Sequence, residues 1–163
     1  MKRLLVVALG LLPVLAEAAD PYVEEVMTLE QARNLIVGCE RYAAQHELGA
    51  VSMAIYDASG NLKVFARQDG ATLATADFAH IKGRTAAITA LATSELAKIE
   101  YAESARPMGI PQLGTLTIVQ GGVPVQSVSG QHIGGFGISG APAVHDEACG
   151  RAGVEKMQAA AQQ

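Results

Sequence analysis

Four side chains of different chemistry lie within eight residues of one predicted helix: Asp77, His80, Lys82 and Arg84. An imidazole can transfer a proton, and a guanidinium can hold a carboxylate through two parallel hydrogen bonds. His80 and Arg84 are four residues apart and share one flank of the apolar stripe, whereas Lys82 lies on the opposite flank. The pattern predicts a cleft for a small ligand beside this helix. The alternative is a solvated helix face whose charges pair with each other.

The four histidines of the chain are candidate iron ligands, because a neutral imidazole is the side chain that most commonly binds metals. They are His46, His80, His132 and His145. A lone histidine is more often a core or surface residue than a ligand. The sequence therefore does not show which of the four, if any, binds iron. No Cys-x-x-Cys-His motif occurs in the sequence, which excludes covalent haem attachment of that type.

The segment Gly135 to Gly140 reads G-F-G-I-S-G and matches the G-x-G-x-x-G pattern of dinucleotide-binding proteins. Dinucleotide binding needs a following strand with an acidic residue about 20 residues further on, and the chain is nearly finished there. Two interpretations stay open. The glycines allow close packing against the sheet, or the backbone near Gly137 and Ser139 receives a carboxylate or a haem propionate.

The chain has two cysteines, Cys39 and Cys149, both at inward-facing positions of predicted helices. A disulfide between them is one expectation, because an exported chain meets oxidising conditions. Two buried free thiols that act as small apolar side chains are the other. Spacing in the sequence cannot choose between them, because a bridge needs two Cα atoms within about 7 Å.

The N-terminus has the features of a secretory signal peptide, which we place at residues 1–18. Lys2 and Arg3 precede an apolar run from Leu4 to Leu15, and Ala16-Glu17-Ala18 fits a cleavage site. A membrane helix needs about 20 apolar residues, so this run is too short to span a bilayer. We therefore expect a periplasmic or secreted protein.

Residues 19–163 are expected to form a single domain. The full chain carries 12 Lys and Arg against 16 Asp and Glu, a formal net charge of −4. This mildly acidic balance, with few basic clusters, argues against a nucleic-acid partner. No second apolar run is long enough to form a membrane helix.

Hydrophobic periodicity and turn residues predict an α+β fold. Thr28 and Gln31 form a capping box that begins the first helix, and Gly49 is expected to end it. The remaining predicted elements are strands 51–56 and 62–67, helices 75–91 and 94–102, an irregular loop 106–114, strands 116–119, 123–128 and 132–138, and a helix 142–159. In the second helix, the residues expected to face the sheet are Phe78, Ile81, Thr85, Ile88 and Ala92. These elements predict a five-stranded antiparallel sheet with helices on its faces.

Several short segments, in order along the chain, carry a family resemblance. They are T-L-E-Q-A from Thr28, V-S-M-A-I-Y-D-A-S-G from Val51, R-Q-D-G-A from Arg67, K-G-R-T-A from Lys82, G-G-V-P-V from Gly121, I-G-G-F-G-I-S-G-A-P from Ile133 and D-E-A-C from Asp146. Together they resemble the GlcG/HbpS-like haem-binding family, also seen as the C-terminal domain of PduO-type proteins. That family commonly has K-A-R-T-A where Gly83 stands in this sequence.

The resemblance implies an α-β-α, profilin-like sandwich that assembles into homo-oligomers and binds haem without a covalent bond. Haem degradation is proposed for some members of the family, and sensing through a partner kinase for others. Under this resemblance, His46 and His80 are the leading candidates for the axial iron ligand, with Lys82 or Arg84 pairing a haem propionate. Gly83 is expected to weaken its helix slightly and to open room for a ligand.

Three functional hypotheses follow. The first is an exported haem-binding protein that serves haem sequestration, degradation or sensing. The second is an enzyme acting on a small carboxylate or carbonyl metabolite, in which Arg84 holds the carboxylate and His80 or Lys82 moves a proton. The third is an accessory or sensor-partner protein whose glycine-rich surface binds another chain.

Overall fold

The computed structural model describes residues 23–102, 109 and 114–162. The predicted signal peptide and most of the predicted loop 106–114 lie outside the described residues. The described elements are, in chain order, α1 (Leu29–Gln45), β1 (Ser52–Asp57), β2 (Leu62–Arg67), α2 (Leu73–Thr89), α3 (Thr93–Glu100), β3 (Gly122–Gln126), β4 (His132–Ser139) and α4 (Ala143–Ala160). None of the described helices combines the length and the apolar character that a membrane span requires.

Helix α1 begins with the predicted capping box. The side chain of Thr28 accepts a hydrogen bond from the backbone N–H of Gln31 at 3.1 Å, and the Gln31 side chain accepts one from the Thr28 N–H at 2.7 Å. The helix ends at Gln45 with His46 as its C-cap, which is earlier than the predicted end at Gly49.

The strands form one antiparallel sheet in the order β2-β1-β4-β3. β1 and β2 are the predicted hairpin, and its turn is closed by the Asp57 side chain, which accepts a hydrogen bond from the Asn61 N–H at 2.9 Å. β1 and β4 are the central strands and pair from Ser52 opposite Ser139 to Asp57 opposite Gly134. The two strands that form the centre of the sheet are therefore far apart in the sequence.

The prediction of a fifth strand is wrong, because residues 116–119 form no strand. The backbone N–H of Thr117 donates to the side chain of Thr85 at 3.0 Å, and the N–H of Val119 donates to the side chain of Thr117 at 3.1 Å. Side chains thus take the hydrogen bonds that a neighbouring strand would otherwise make. Among the described residues the sheet has four strands instead of the predicted five, and β3 and β4 form an antiparallel hairpin.

The helices cover both faces of the sheet in an α+β sandwich. Because side chains alternate along a strand, Met53 and Ile55 of β1 point into the core beneath α1 and α4, whereas Ala54 and Tyr56 point towards α2. The main core lies between the sheet and the α1–α4 layer. Its largest fully buried side chains include Phe136, Met27, Leu35, Met53, Ile55, Ile133, Ile138 and Met157.

Helix α2 lies close to the sheet because small residues meet across the contact. A Cβ at Gly83 would lie 2.5 Å from the carbonyl O of Ala54 and 2.9 Å from the backbone N of Gly137. Gly83 therefore serves close packing and does not open room for a ligand. The predicted inward face is wrong at Phe78 and Ile88, which are 48% and 42% exposed, and it is confirmed at Thr85 and Ala92, which are buried. The small buried residues of this helix are Ala76, Ala79, Gly83, Ala86 and Ala87.

Helices α1 and α4 cross on the opposite face of the sheet, where a disulfide joins Cys39 to Cys149. At this crossing, a Cβ on Gly38 would lie 2.6 Å from the carbonyl O of Ala152. The two backbones come this close because glycine has no side chain to separate them. The disulfide and the glycine contact together fix how the two helices sit on each other.

Candidate ligand-binding site

A pocket of about 350 Å³ opens beside α2, at the segment that carries the charged cluster. Asp77, His80 and Arg84 line it together with Tyr56 of β1. The other described lining residues are Ile81, Gly114 and Thr115. Helix positions three, four and seven residues apart share one face, so α2 presents its polar side chains here while its small residues contact the sheet. The volume lies at the lower end of the range of about 300–1,000 Å³ that is usual for small-molecule sites.

His80 is held in the pocket by two aromatic neighbours. Its Nδ1 lies 2.8 Å from the hydroxyl of Tyr56, and its ring stacks on Phe65 with centroids 4.5 Å apart. Its Nε2 makes no hydrogen bond to any described residue. When Nδ1 donates its proton to the Tyr56 oxygen, Nε2 carries the lone pair. The ring is then oriented by one nitrogen and can bind a ligand through the other.

Arg84 brings positive charge to the pocket. No carboxylate of the described residues lies within ion-pair distance of its guanidinium. Burial raises the pKa of Tyr56, and the Arg84 charge offsets only part of this rise. Since the ordinary value is already near 10, the Tyr56 phenol stays neutral at neutral pH. The pocket thus combines an oriented imidazole, a neutral phenol and an Arg84 side chain able to bind an anionic group.

Lys82 does not belong to this pocket, which corrects the prediction that it could pair an acidic ligand. It is 2% exposed, and its ammonium donates to Asp146 Oδ2 and to the carbonyl O of Ile138, both at 2.9 Å. Burial raises the pKa of Asp146, although hydrogen bonds from Lys82 and from the Ala141 N–H oppose the rise. Lys82 is therefore the cation of a buried ion pair that links α2 to α4.

Gly137 and Ser139 also lie outside the pocket, so the ligand-binding interpretation of the glycine segment is corrected. A Cβ at Gly137 would overlap the carbonyl O of Ala79 and the backbone N of Gly83, because α2 lies directly on β4 there. Ser139 is buried at the end of β4, opposite Ser52 in the neighbouring strand. The glycines serve close packing, which was the other interpretation left open by the sequence.

The remaining histidines do not line this pocket. Nε2 of His132 lies 2.6 Å from the carbonyl O of Ala87, and Nδ1 of the same ring is buried without a hydrogen-bond partner among the described residues. His46 is exposed at the end of α1, and His145 lies in the first turn of α4. Of the two leading haem-ligand candidates, the pocket contains only His80.

Sequence reasoning did not select Tyr56 and Phe65 as site residues. The alternation along β1 places Tyr56 on the face opposite Met53 and Ile55, and that alternation can be read in the sequence. The sequence does not show which helix covers that face. The contact between Tyr56 and His80, 24 residues apart, therefore appears only in the folded chain.

The fold and the pocket define this chain as a small α+β domain with a pocket beside helix α2. A family model described as haem degrading protein HbpS-like matches residues 27–155. The chain therefore belongs to the HbpS-like family. No protein of curated function matches the sequence.

Solved structures agree with this assignment. A double mutant of Streptomyces reticuli HbpS is 31% identical, with 90% of this chain and 97% of that chain covered and a TM-score of 0.71. The PduOC:haem complex is 26% identical over 81% of this chain and 95% of that chain, with a TM-score of 0.73. The Klebsiella pneumoniae protein ORFY, at 22% identity, covers 88% of this chain and 99% of that chain with a TM-score of 0.77 and supports the fold alone.

Proposed function

We propose that the protein binds haem non-covalently in the α2 pocket, with His80 Nε2 as the axial ligand of the iron. The observation that carries the proposal is the setting of His80, oriented by Tyr56 and Phe65 with one ring nitrogen left for a ligand. Histidines that bind metals usually donate their second ring N–H to a fixed acceptor, and Tyr56 supplies one. The family assignment and the haem complex of PduOC support the same ligand.

The donor set of the pocket fits haem in two further respects. Arg84 has no carboxylate partner among the described residues and can pair a propionate through two parallel hydrogen bonds. The Phe65 and Ile81 side chains supply apolar surface beside His80 for the macrocycle. When bound, haem would supply an iron centre for ligand or redox chemistry, and the chain would supply orientation and charge pairing.

Spectral titration tests this proposal. Haemin added to the purified protein should give a saturable Soret shift that is lost in His80→Ala and kept in His46→Ala, the matched control at an exposed histidine away from the pocket. Tyr56→Phe should weaken binding by about tenfold or more, because the partner of Nδ1 is removed. A Soret shift that survives His80→Ala, or its loss in His46→Ala, would place the haem elsewhere.

A second candidate is an enzyme that acts on a small carboxylate. The observation in its favour is the Arg84 guanidinium, which has no carboxylate partner among the described residues and lies beside an imidazole in a pocket of about 350 Å³. His80 would move the proton and Arg84 would hold the carboxylate. Small acids should then raise the melting temperature where haemin does not, and Arg84→Lys should abolish the effect because the fork geometry is lost.

We also propose that the protein is exported. The signal-like residues 1–18 support this, and so does the disulfide between Cys39 and Cys149, since such bonds persist in oxidising compartments. Mass spectrometry of the cell-envelope or culture fraction should find a chain that begins at Ala19. A full-length chain in the cytoplasm, with both thiols alkylatable, would refute export.

Self-association is a further proposal. Phe65, Phe78 and Ile88 are exposed on or beside α2, and large exposed apolar side chains are typical of surfaces that meet another chain. Light scattering after size-exclusion chromatography should show a homo-oligomer that Phe78→Ser weakens. A monomer at all accessible concentrations would refute it.

A further inference from the structure

A second group of aromatic and imidazole side chains lies where α1 ends and α4 begins. Tyr42 and His46 are one turn apart and stack with ring centroids 4.0 Å apart. The Tyr42 hydroxyl lies 3.1 Å from Nδ1 of His145 in the first turn of α4. Neither histidine lines the α2 pocket, so this group has no role in the proposed haem site.

The hydrogen bonds of this group leave Nε2 of both rings available. His46 Nδ1 lies 2.9 Å from the backbone carbonyl O of Tyr42, and a carbonyl only accepts. In the neutral form of the His46 ring, Nδ1 therefore carries the proton and Nε2 carries the lone pair. A metal on Nε2 of His145 would select the matching tautomer there, in which Nδ1–H donates to the Tyr42 oxygen.

The spacing of the two imidazoles suits a shared metal ion. An imidazole nitrogen binds Zn²⁺ at about 2.0–2.1 Å, which puts the ring centroid roughly 3.2 Å from the metal. Two rings that share one ion then have centroids about 5 to 6.4 Å apart, depending on the angle between them. The centroids of His46 and His145 are 6.1 Å apart, and their planes differ by 51°. The separation of the two rings therefore lies within the range for two imidazoles that share one ion.

We propose that His46 and His145 form a binding site for a late first-row divalent metal ion, of the class of Cu²⁺ and Zn²⁺. Imidazole suits these ions, and Cu²⁺ binds most tightly in the series. The described part of the chain holds no group of three or more His, Cys, Asp or Glu side chains placed to bind a metal ion, so the proposed site has two protein ligands and water would complete the coordination. The site is thus an open one, separate from the haem pocket on the other face of the sheet.

The disulfide pre-positions the two ligands. Cys39 precedes Tyr42 by three residues and Cys149 follows His145 by four, so the bridge lies one helical turn from the contact between Tyr42 and His145. It fixes the crossing of α1 and α4 and thereby the separation of the imidazoles. Metal affinity should therefore be higher when Cys39 and Cys149 are bridged than when they are reduced, although neither sulfur binds the metal.

Isothermal titration of Zn²⁺, with Cu²⁺ electron paramagnetic resonance, tests the site on untagged, oxidised, haem-free protein. One saturable site is expected, with nitrogen ligation of Cu²⁺. His46→Gln and His145→Gln should each weaken Zn²⁺ binding at least about tenfold, and Cys39→Ser combined with Cys149→Ser should weaken it less. His46 is exposed, so its substitution should leave the fold intact, which circular dichroism verifies.

His80→Gln is the matched control and should leave the metal titration unchanged. Absence of saturable binding by the wild type, or binding that survives both His46→Gln and His145→Gln, overturns the metal site. Failure of the haem proposal would appear separately, as a missing Soret shift in a protein that still binds Zn²⁺. Loss of metal binding in His80→Gln alone would likewise count against the site proposed at the end of α1.

Discussion

Replacing Lys82 with Met should destabilise the fold more than any exposed charge substitution in this chain. The change keeps the aliphatic stem and removes the ammonium that makes two hydrogen bonds of 2.9 Å. Asp146, 2% exposed, then keeps a buried carboxylate whose one remaining hydrogen bond from the described residues comes from the Ala141 N–H at 3.0 Å. Removing one partner of a buried ion pair costs about 3–5 kcal/mol. At about 2–4 °C per kcal/mol for a domain of this size, the melting temperature should fall by about 6–20 °C.

Urea denaturation followed by far-ultraviolet circular dichroism measures this effect, at one fixed protein concentration and without reductant. The midpoint should shift while the slope of the free energy against urea stays constant. Lys98→Met is the matched control, because Lys98 pairs with Glu95 at 2.7 Å on an exposed helix surface. Exposed pairs of this kind contribute about 0–1 kcal/mol.

The penalty should also depend on pH. Burial raises the pKa of Asp146 in the folded state above its value in the unfolded chain. Protonation of Asp146 therefore stabilises the folded state at low pH, and this stabilisation is lost as the pH rises through the folded-state pKa. Without Lys82 the rise is larger, because the attraction of the ammonium is gone. The difference between Lys82→Met and wild type should therefore shrink from neutral to acidic pH. A Lys82→Met variant no less stable than Lys98→Met at neutral pH would refute the buried pair.

Three further substitutions test the packing. Gly137→Ala should lower the free energy of unfolding by about 1–3 kcal/mol, because the added Cβ overlaps the backbone of α2. Gly49→Ala is the control and should change it by less than about 0.5 kcal/mol, because no atom lies near that Cβ. Equal effects of the two substitutions would contradict the close contact at Gly137. Thr28→Ala should cost about 1 kcal/mol by removing the capping box, and an unchanged melting curve would argue against that cap. Replacing Cys39 and Cys149 together with Ser should cost about 4–5 kcal/mol, since the bond closes a separation of 110 residues. Identical melting of oxidised and Ser-substituted protein would show that the thiols are not bridged.

The sequence could predict what depends on neighbouring residues. The capping box at Thr28 joins residues three apart, and the β1–β2 turn is closed by Asp57 with Asn61, so both follow from local side-chain chemistry. Periodicity located the four helices of the described residues to within a few positions, and the clustering of Asp77, His80 and Arg84 on one helix predicted a pocket there. The ordered motifs along the chain also identified the family.

Only the tertiary structure decided which groups meet across the sheet. Thr117 donates to Thr85, 32 residues away, and this bond replaces the predicted strand. Hydrophobicity favoured Phe78 as a core residue of α2, but the glycines of β4 bring the helix so near that only small side chains fit between them. Lys82 was predicted to pair an acidic group of a ligand, and it instead forms an ion pair with Asp146, 64 residues further along the chain. Such contacts depend on which surfaces the folded chain brings together. The spacing of residues along the sequence does not determine the distance between two side chains on different elements.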